Sequence, residues 1–114
     1  MTLEVRDIDY VRYQSSAIVI GLSLTRAPDE LETEVIQAWP NVAGTDHPLR
    51  VEGRDLIVEV PSAEAAGTCI SWLIGPDGLA AMYARATAVG EASERLFSDM
   101  QTLIHQRYDA APPG

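Results

Sequence analysis

Residues 62–89 read SAEAAGTCISWLIGPDGLAAMYARATAV, and the fold turns on how this stretch is arranged. Two local structures compete for it. In one, Ser62 caps a helix from Ala63 to Ile74, closed by Gly75 and Pro76. In the other, Gly75-Pro76-Asp77-Gly78 is a type I turn, with a Gly in the left-handed position, that joins two strands. Register favours the strands. If Gly75 pairs with Leu79, then Ile74 faces Ala80, Trp72 faces Met82 and Ile70 faces Ala84, so one face is wholly apolar. The alanines of 79–89 pull the other way, toward helix. A single helix from Leu79 to Tyr108 would be about 45 Å long. A compact chain of this size has a radius of gyration of about 13 Å. Such a helix must protrude or pair in a dimer. The hairpin is therefore the expected structure, with a helix at 63–74 and a longer C-terminal helix as its alternative.

Upstream the pattern is clearer. Leu3 to Tyr13 reads as a strand whose apolar residues change parity between Val5 and Ile8, the mark of a bulge. Gln14-Ser15-Ser16 is a turn. From Ser16 to Leu24 the chain alternates, with Ile18, Ile20, Leu22 and Leu24 on one face. The small residues Ala17, Val19, Gly21 and Ser23 occupy the other, which suits a central strand with close packing behind it. Pro28 to Trp39 is a helix, with Pro28 at its first position, acids in the first turn, and Leu31, Val35, Ala38 and Trp39 as its apolar stripe. Leu49 to Val60 is a hairpin about Gly53-Arg54. Pairing Glu52 with Asp55 sets Val51 against Leu56 and Leu49 against Val58 on one face. Gly90 opens the last helix, which carries the stripe Leu96, Phe97, Met100, Leu103, Ile104 and Tyr108.

The expected architecture is therefore α+β. A mostly antiparallel sheet of about six strands, in the order β-β-α-β-β-β-β-α, is packed by two helices. One domain spans residues 1–109, and 110–114 form a flexible tail.

Charge narrows the function. The 114 residues hold seventeen acids, eight arginines and no lysine, for a formal net charge of -9. Such a surface repels nucleic acid and anionic membrane and attracts basic partners. The arginines are scattered, so none of them forms a nucleic-acid site. Without lysine there is no Schiff base, no phosphate-loop lysine and no kinase-type ATP lysine. An arginine-only, alanine-rich composition also fits a GC-rich genome. No apolar run is long enough to span a membrane, and no secretory leader is legible at the N-terminus. A cytoplasmic location is expected.

Candidates for chemistry are sparse. Cys69 is the sole cysteine and lies in an apolar context, which reads as a buried small hydrophobe rather than a nucleophile. His47 stands in the polar loop Thr45-Asp46-His47-Pro48, and no second ligand at metal spacing accompanies it. His105 suits the dipole of the last helix. Asp7 and Asp9 share a strand face, where a solvated edge is the simpler reading than a metal pair. No nucleophile elbow, dinucleotide fingerprint or calcium loop occurs. No cofactor and no metal site are expected.

The sharpest constellation is Asp29-Glu30-Leu31-Glu32-Thr33-Glu34, four acids in six residues. As the exposed side of a helix, Asp29, Glu30, Glu32 and Glu34 read either as a solvated face that aids solubility and complements the helix dipole, or as a docking surface for a basic protein, speeding encounter and fixing partner choice. The expected function is thus a non-enzymatic, acidic protein-binding module. Its most specific form is an inhibitor or immunity protein that occludes a basic toxin or nuclease. Two alternatives stand beside it. One is a small-molecule-binding or enzymatic domain, with a pocket between sheet and last helix lined by Tyr10, Tyr13, Trp72 and Tyr83. The other is a homodimeric secretion chaperone or assembly subunit that uses the sheet edge or the last helix.

Overall fold

The computed structural model describes residues 2–110. Strands β1 (Val5–Gln14) and β2 (Ala17–Leu24) lead into helix α1 (Glu30–Gln37). Strands β3 (Arg50–Glu52) and β4 (Asp55–Val60) follow, then helices α2 (Ala63–Ile74) and α3 (Leu79–Ala110). The four strands form one antiparallel sheet in the order β1-β2-β4-β3. The domain is α+β, with four strands and three helices. The expected six strands and two helices are incorrect, because the segment from 62 onward is helical.

Three facts explain why the hairpin loses. First, Ser62 accepts the Ala65 N–H on its Oγ at 3.1 Å, which satisfies one of the orphan donors at the start of α2. Second, the strand register puts Cys69 and Leu73 on the face opposite Ile70, Trp72 and Ile74. In the helix, Cys69 and Leu73 lie four apart and are fully buried with Leu79, Met82 and Ala86 of α3, while Ile74 turns outward. Third, Gly78 is not in the left-handed region. Its glycine serves close approach instead. A Cβ there would collide with the Trp72 carbonyl oxygen and lie 2.5 Å from Leu73 Cα. The helices cross so tightly at this point that only a hydrogen fits.

The compactness expected of a small chain fails as well. The long axis measures 70 Å against 27 and 22 Å across, and the radius of gyration is 19.6 Å. The excess is α3. It begins at Leu79, runs through Gly90 without a break and continues to Ala110. Gly90 is thus not a helix start. A Cβ there would reach contact distance of α1, 3.4 Å from Leu31 Cδ2. Of the tail expected at 110–114, residue 110 ends α3 and 111–114 lie outside the described residues.

The rest of the sheet follows the sequence pattern. β1 shifts register between Val5 and Asp7 and again between Ile8 and Tyr10, and Ser15 takes a positive φ in the turn to β2. Glu52 pairs with Asp55 and Val51 with Leu56 about Gly53, whose φ is +61°. Ile18, Ile20, Leu22 and Leu24 share the core with Leu49, Leu56, Val58 and Val60. On the other sheet face the Tyr10 ring occupies the space above Gly21, and Arg12 stacks on that ring at 4.4 Å.

The helices do not cover the whole inner face. Ile8, Val11 and Tyr13 pair directly with Leu22, Ile20 and Ile18, so they point to the same side of the sheet. All three are nonetheless exposed, because β1 is the edge strand beyond the helices.

Candidate functional site

The acidic run on α1 is built around a capping box. Asp29 is the N-cap, and its Oδ1 accepts the Glu32 N–H at 2.7 Å. Glu32 Oε1 accepts the Asp29 N–H at 2.9 Å in return. Pro28 therefore precedes the cap rather than opening the helix. Glu32 is only 5% exposed. Arg26 grips it with both guanidinium nitrogens, Nη1 to Oε1 at 2.6 Å and Nη2 to Oε2 at 2.7 Å. These hydrogen bonds hold the Glu32 carboxyl below its ordinary pKa, and the Asp29 N–H adds to them against the opposing effect of burial. The same pairing raises Arg26.

The four acids of the run thus have different roles. Glu32 is largely internal and paired with Arg26. Asp29 holds the helix end. Glu30 and Glu34 are exposed on the outer side of α1. The buried stripe is offset from the expected one accordingly. Ile36 and Glu32 lie deepest, Leu31, Val35 and Trp39 are half-buried, and Ala38 is exposed. The sequence held a signal for this: an acid three residues after an Asp, before an apolar run, is a capping-box spacing.

Helix α3 contributes acids that lie far from this cluster in sequence. A cleft of about 520 Å³ between α1 and α3 is lined by Asp29 and Glu32 from one side and Glu91 and Glu94 from the other, with Arg26 at its base. A second, more apolar hollow of about 640 Å³ lies on the other flank, between Leu31, Val35 and Trp39 of the α1 end and Arg85 and Val89. Both are open grooves along the α1–α3 contact.

The aromatic residues suggested as a pocket lining do not converge. Tyr10 lies on the outer sheet face, and Tyr13 is exposed near the end of β1. Trp72 packs on the core. Tyr83 packs on it too and also lines the acidic cleft.

The nucleophile and metal candidates sit as follows. Cys69 is fully buried, and burial pushes its thiol pKa up to about 11, so it carries almost no thiolate at neutral pH. His47 is exposed in the loop before β3, where the Thr45 hydroxyl donates toward its carbonyl oxygen at 3.1 Å. His105 is exposed on α3. Asp9 stands at the second β1 bulge, and its hydrogen bond to the Asp55 carboxyl raises the Asp55 pKa. Among the described residues no three His, Cys, Asp or Glu side chains are grouped to hold a metal ion. Among them, too, no helix is long and apolar enough to cross a membrane.

The most exposed apolar surface is on α3. Up to Gly90 the helix packs on the body through Leu79, Met82, Ala86 and Val89. From Glu91 to Arg107 every residue is exposed. The stripe nevertheless continues in phase. Leu96, Phe97, Met100, Leu103 and Ile104 fall on the side that Met82 and Ala86 use upstream, and they are 44–68% exposed. No protein-family model, curated protein or solved structure matches the chain.

Proposed function

We propose that this chain is a non-enzymatic protein-binding module whose main binding element is the free half of α3. One observation carries the reading: five large apolar side chains form one exposed face along the part of α3 that follows Gly90. Scattered apolar residues on a surface are ordinary, but a contiguous, in-phase stripe marks a surface that another chain covers. Amphipathic helices are read by partners through such i, i+3, i+4, i+7 anchors.

The test is site-specific photo-crosslinking in the host cell, with a photoreactive amino acid at position 97 and a control at exposed Thr68 on α2. The expected result is a discrete protein adduct from position 97 and none from position 68. Uncrosslinked protomer alone at both positions would overturn the reading.

A basic partner is the second reading, and the acidic cleft favours it. Glu30 and Glu34 remain free on α1, and Glu91 and Glu94 extend their field across to α3. An inhibitor or immunity protein for a basic toxin or nuclease would use this surface for encounter, in a cytoplasmic setting that suits a chain with one unpaired cysteine. Co-purification with the product of a neighbouring open reading frame, lost on Glu30→Arg with Glu34→Arg and weakened by salt, tests it. Retention of that partner by the charge-reversed chain would sink it.

A further inference from the structure

We infer that the occupant of the α3 stripe is a second copy of this chain, docked antiparallel about a two-fold axis beside Met100. The inference rests on the reading of α3 as the binding element, and it names the partner.

Self-complementarity is the first argument. A two-fold contact brings residue i against j and j against i. With the axis at Met100, Leu96 meets Ile104 and Phe97 meets Leu103, so every large apolar side chain of the stripe finds another. Area is the second. At roughly 100–150 Å² for each half-exposed large side chain, the five in each protomer offer on the order of 1,200 Å² for the pair, the lower end of stable specific interfaces.

Charge decides the direction. The free half of α3 begins with Glu91 and Glu94 and ends with His105 and Arg107. A parallel pair would set Glu94 level with Glu94 and Arg107 on Arg107, whereas Asp99 lies near its own copy in either direction. The antiparallel pair sets Glu94 beside His105 of the second copy. It also brings Arg107 opposite Ser93, within a turn of Glu91 and Glu94 and near the acidic cleft where Asp29 lies. The acids of that cleft thus receive the one arginine that lies on the stripe.

Sedimentation equilibrium of the purified full chain, at tens of micromolar protomer, reads the mass directly. The expected mass is twice 12.4 kDa. Phe97→Asp with Leu103→Asp should weaken association by at least about a hundredfold, because it buries like charge against an apolar stripe. Both positions are exposed, so an unchanged circular dichroism spectrum is expected for the monomeric variant.

Direction is read by disulfide trapping, since buried Cys69 takes no part. Met100→Cys should cross-link to itself. Ile104→Cys should not, because its copies lie about 12 Å apart along an antiparallel pair, beyond disulfide reach.

A monomeric wild-type chain overturns the inference, as does equal trapping at 100 and 104. If the purified chain is monomeric while position 97 still yields an adduct of other mass in cells, the second copy is refuted and the reading of α3 stands. If neither is seen, both fall.

Discussion

Glu32 gives the clearest test of the site, because structure and sequence assign it opposite roles. As a member of an exposed acidic run it is dispensable for folding. In the structure it is 5% exposed, gripped twice by Arg26 and joined to Asp29 in the capping box. Replacing one partner of a fully buried pair costs about 3–5 kcal/mol. Arg26 keeps 29% of its side-chain surface in water, so solvent takes up much of the orphaned charge and that cost falls to about 1–2 kcal/mol. Losing the reciprocal half of the capping box adds about 0.5–1 kcal/mol. Glu32→Ala should therefore destabilise by about 1.5–3 kcal/mol, a large share of the stability of a small domain. Glu30→Ala and Glu34→Ala should stay within about 0.5 kcal/mol of wild type. Urea unfolding followed by the fluorescence of half-buried Trp39 and Trp72, at one protomer concentration, measures all three. Acid adds a second readout through Glu32→Gln. The folded pKa of Glu32 lies below its ordinary value of 4.5, so its contribution is complete above that value and disappears as pH falls through the folded pKa. The stability gap between wild type and Glu32→Gln should close on acidification. A gap that holds constant from neutral to acid pH, or a Glu32→Ala chain as stable as Glu30→Ala, would refute the reasoning.

Other predictions follow from the packing. Gly78→Ala should destabilise by about 2 kcal/mol or more, although Gly→Ala in an open helix stabilises, because the new methyl meets the backbone of Trp72 and Leu73; a urea midpoint at or above wild type would contradict the α2–α3 crossing. Gly21→Ala should cost about 1–2 kcal/mol through the Tyr10 ring, and a double-mutant cycle with Tyr10→Ala should recover much of that cost by coupling. Strict additivity of the two would argue against the Tyr10 contact. Cys69, with its pKa pushed up to about 11, should react with a thiol reagent at pH 8 only as the chain unfolds in urea. Rapid labelling of the folded protein would show that the core is open at α2.

The parts of the fold that were legible in the sequence are those with local signals. Gly53 at the turn fixed the β3–β4 register, since slipping one residue would put Val51 and Leu56 on opposite faces. Alternation on β2 marked the central strand, because every second residue had to enter the core. The segment from Ser62 to Val89 was not legible in the same way. Ile70, Trp72 and Ile74 alternate as a strand would, while Cys69, Leu73, Leu79 and Met82 keep helical spacing. Tertiary packing decides between such overlapping patterns. The assumption of compactness then excluded the long helix, and that assumption fails in a chain whose last helix leaves the body. At the site, exposure of Glu30 and Glu34 could be read from position on the helix, but the inward turn of Glu32 needed Arg26, six residues upstream in an irregular segment.

The projecting helix and the acidity belong to one physical problem. A free helix of some twenty residues is marginal in water, and Ser93, Ser98, Asp99 and Thr102 do little to help it. Residues 79–90, fixed on the sheet, supply the nucleus, so the distal turns need only propagate. What remains unsatisfied is the apolar stripe, and covering it with a second copy joins two acidic bodies, in chains of net charge -9 each. Side by side, those bodies would repel. In the antiparallel arrangement residue 90 of one copy lies opposite residue 110 of the other, about 30 Å along the helix. That separation is about four Debye lengths at physiological salt, so the bodies are screened from one another while the helices touch. A long helix that carries its apolar face away from the acidic body is thus a means by which so charged a chain can self-associate.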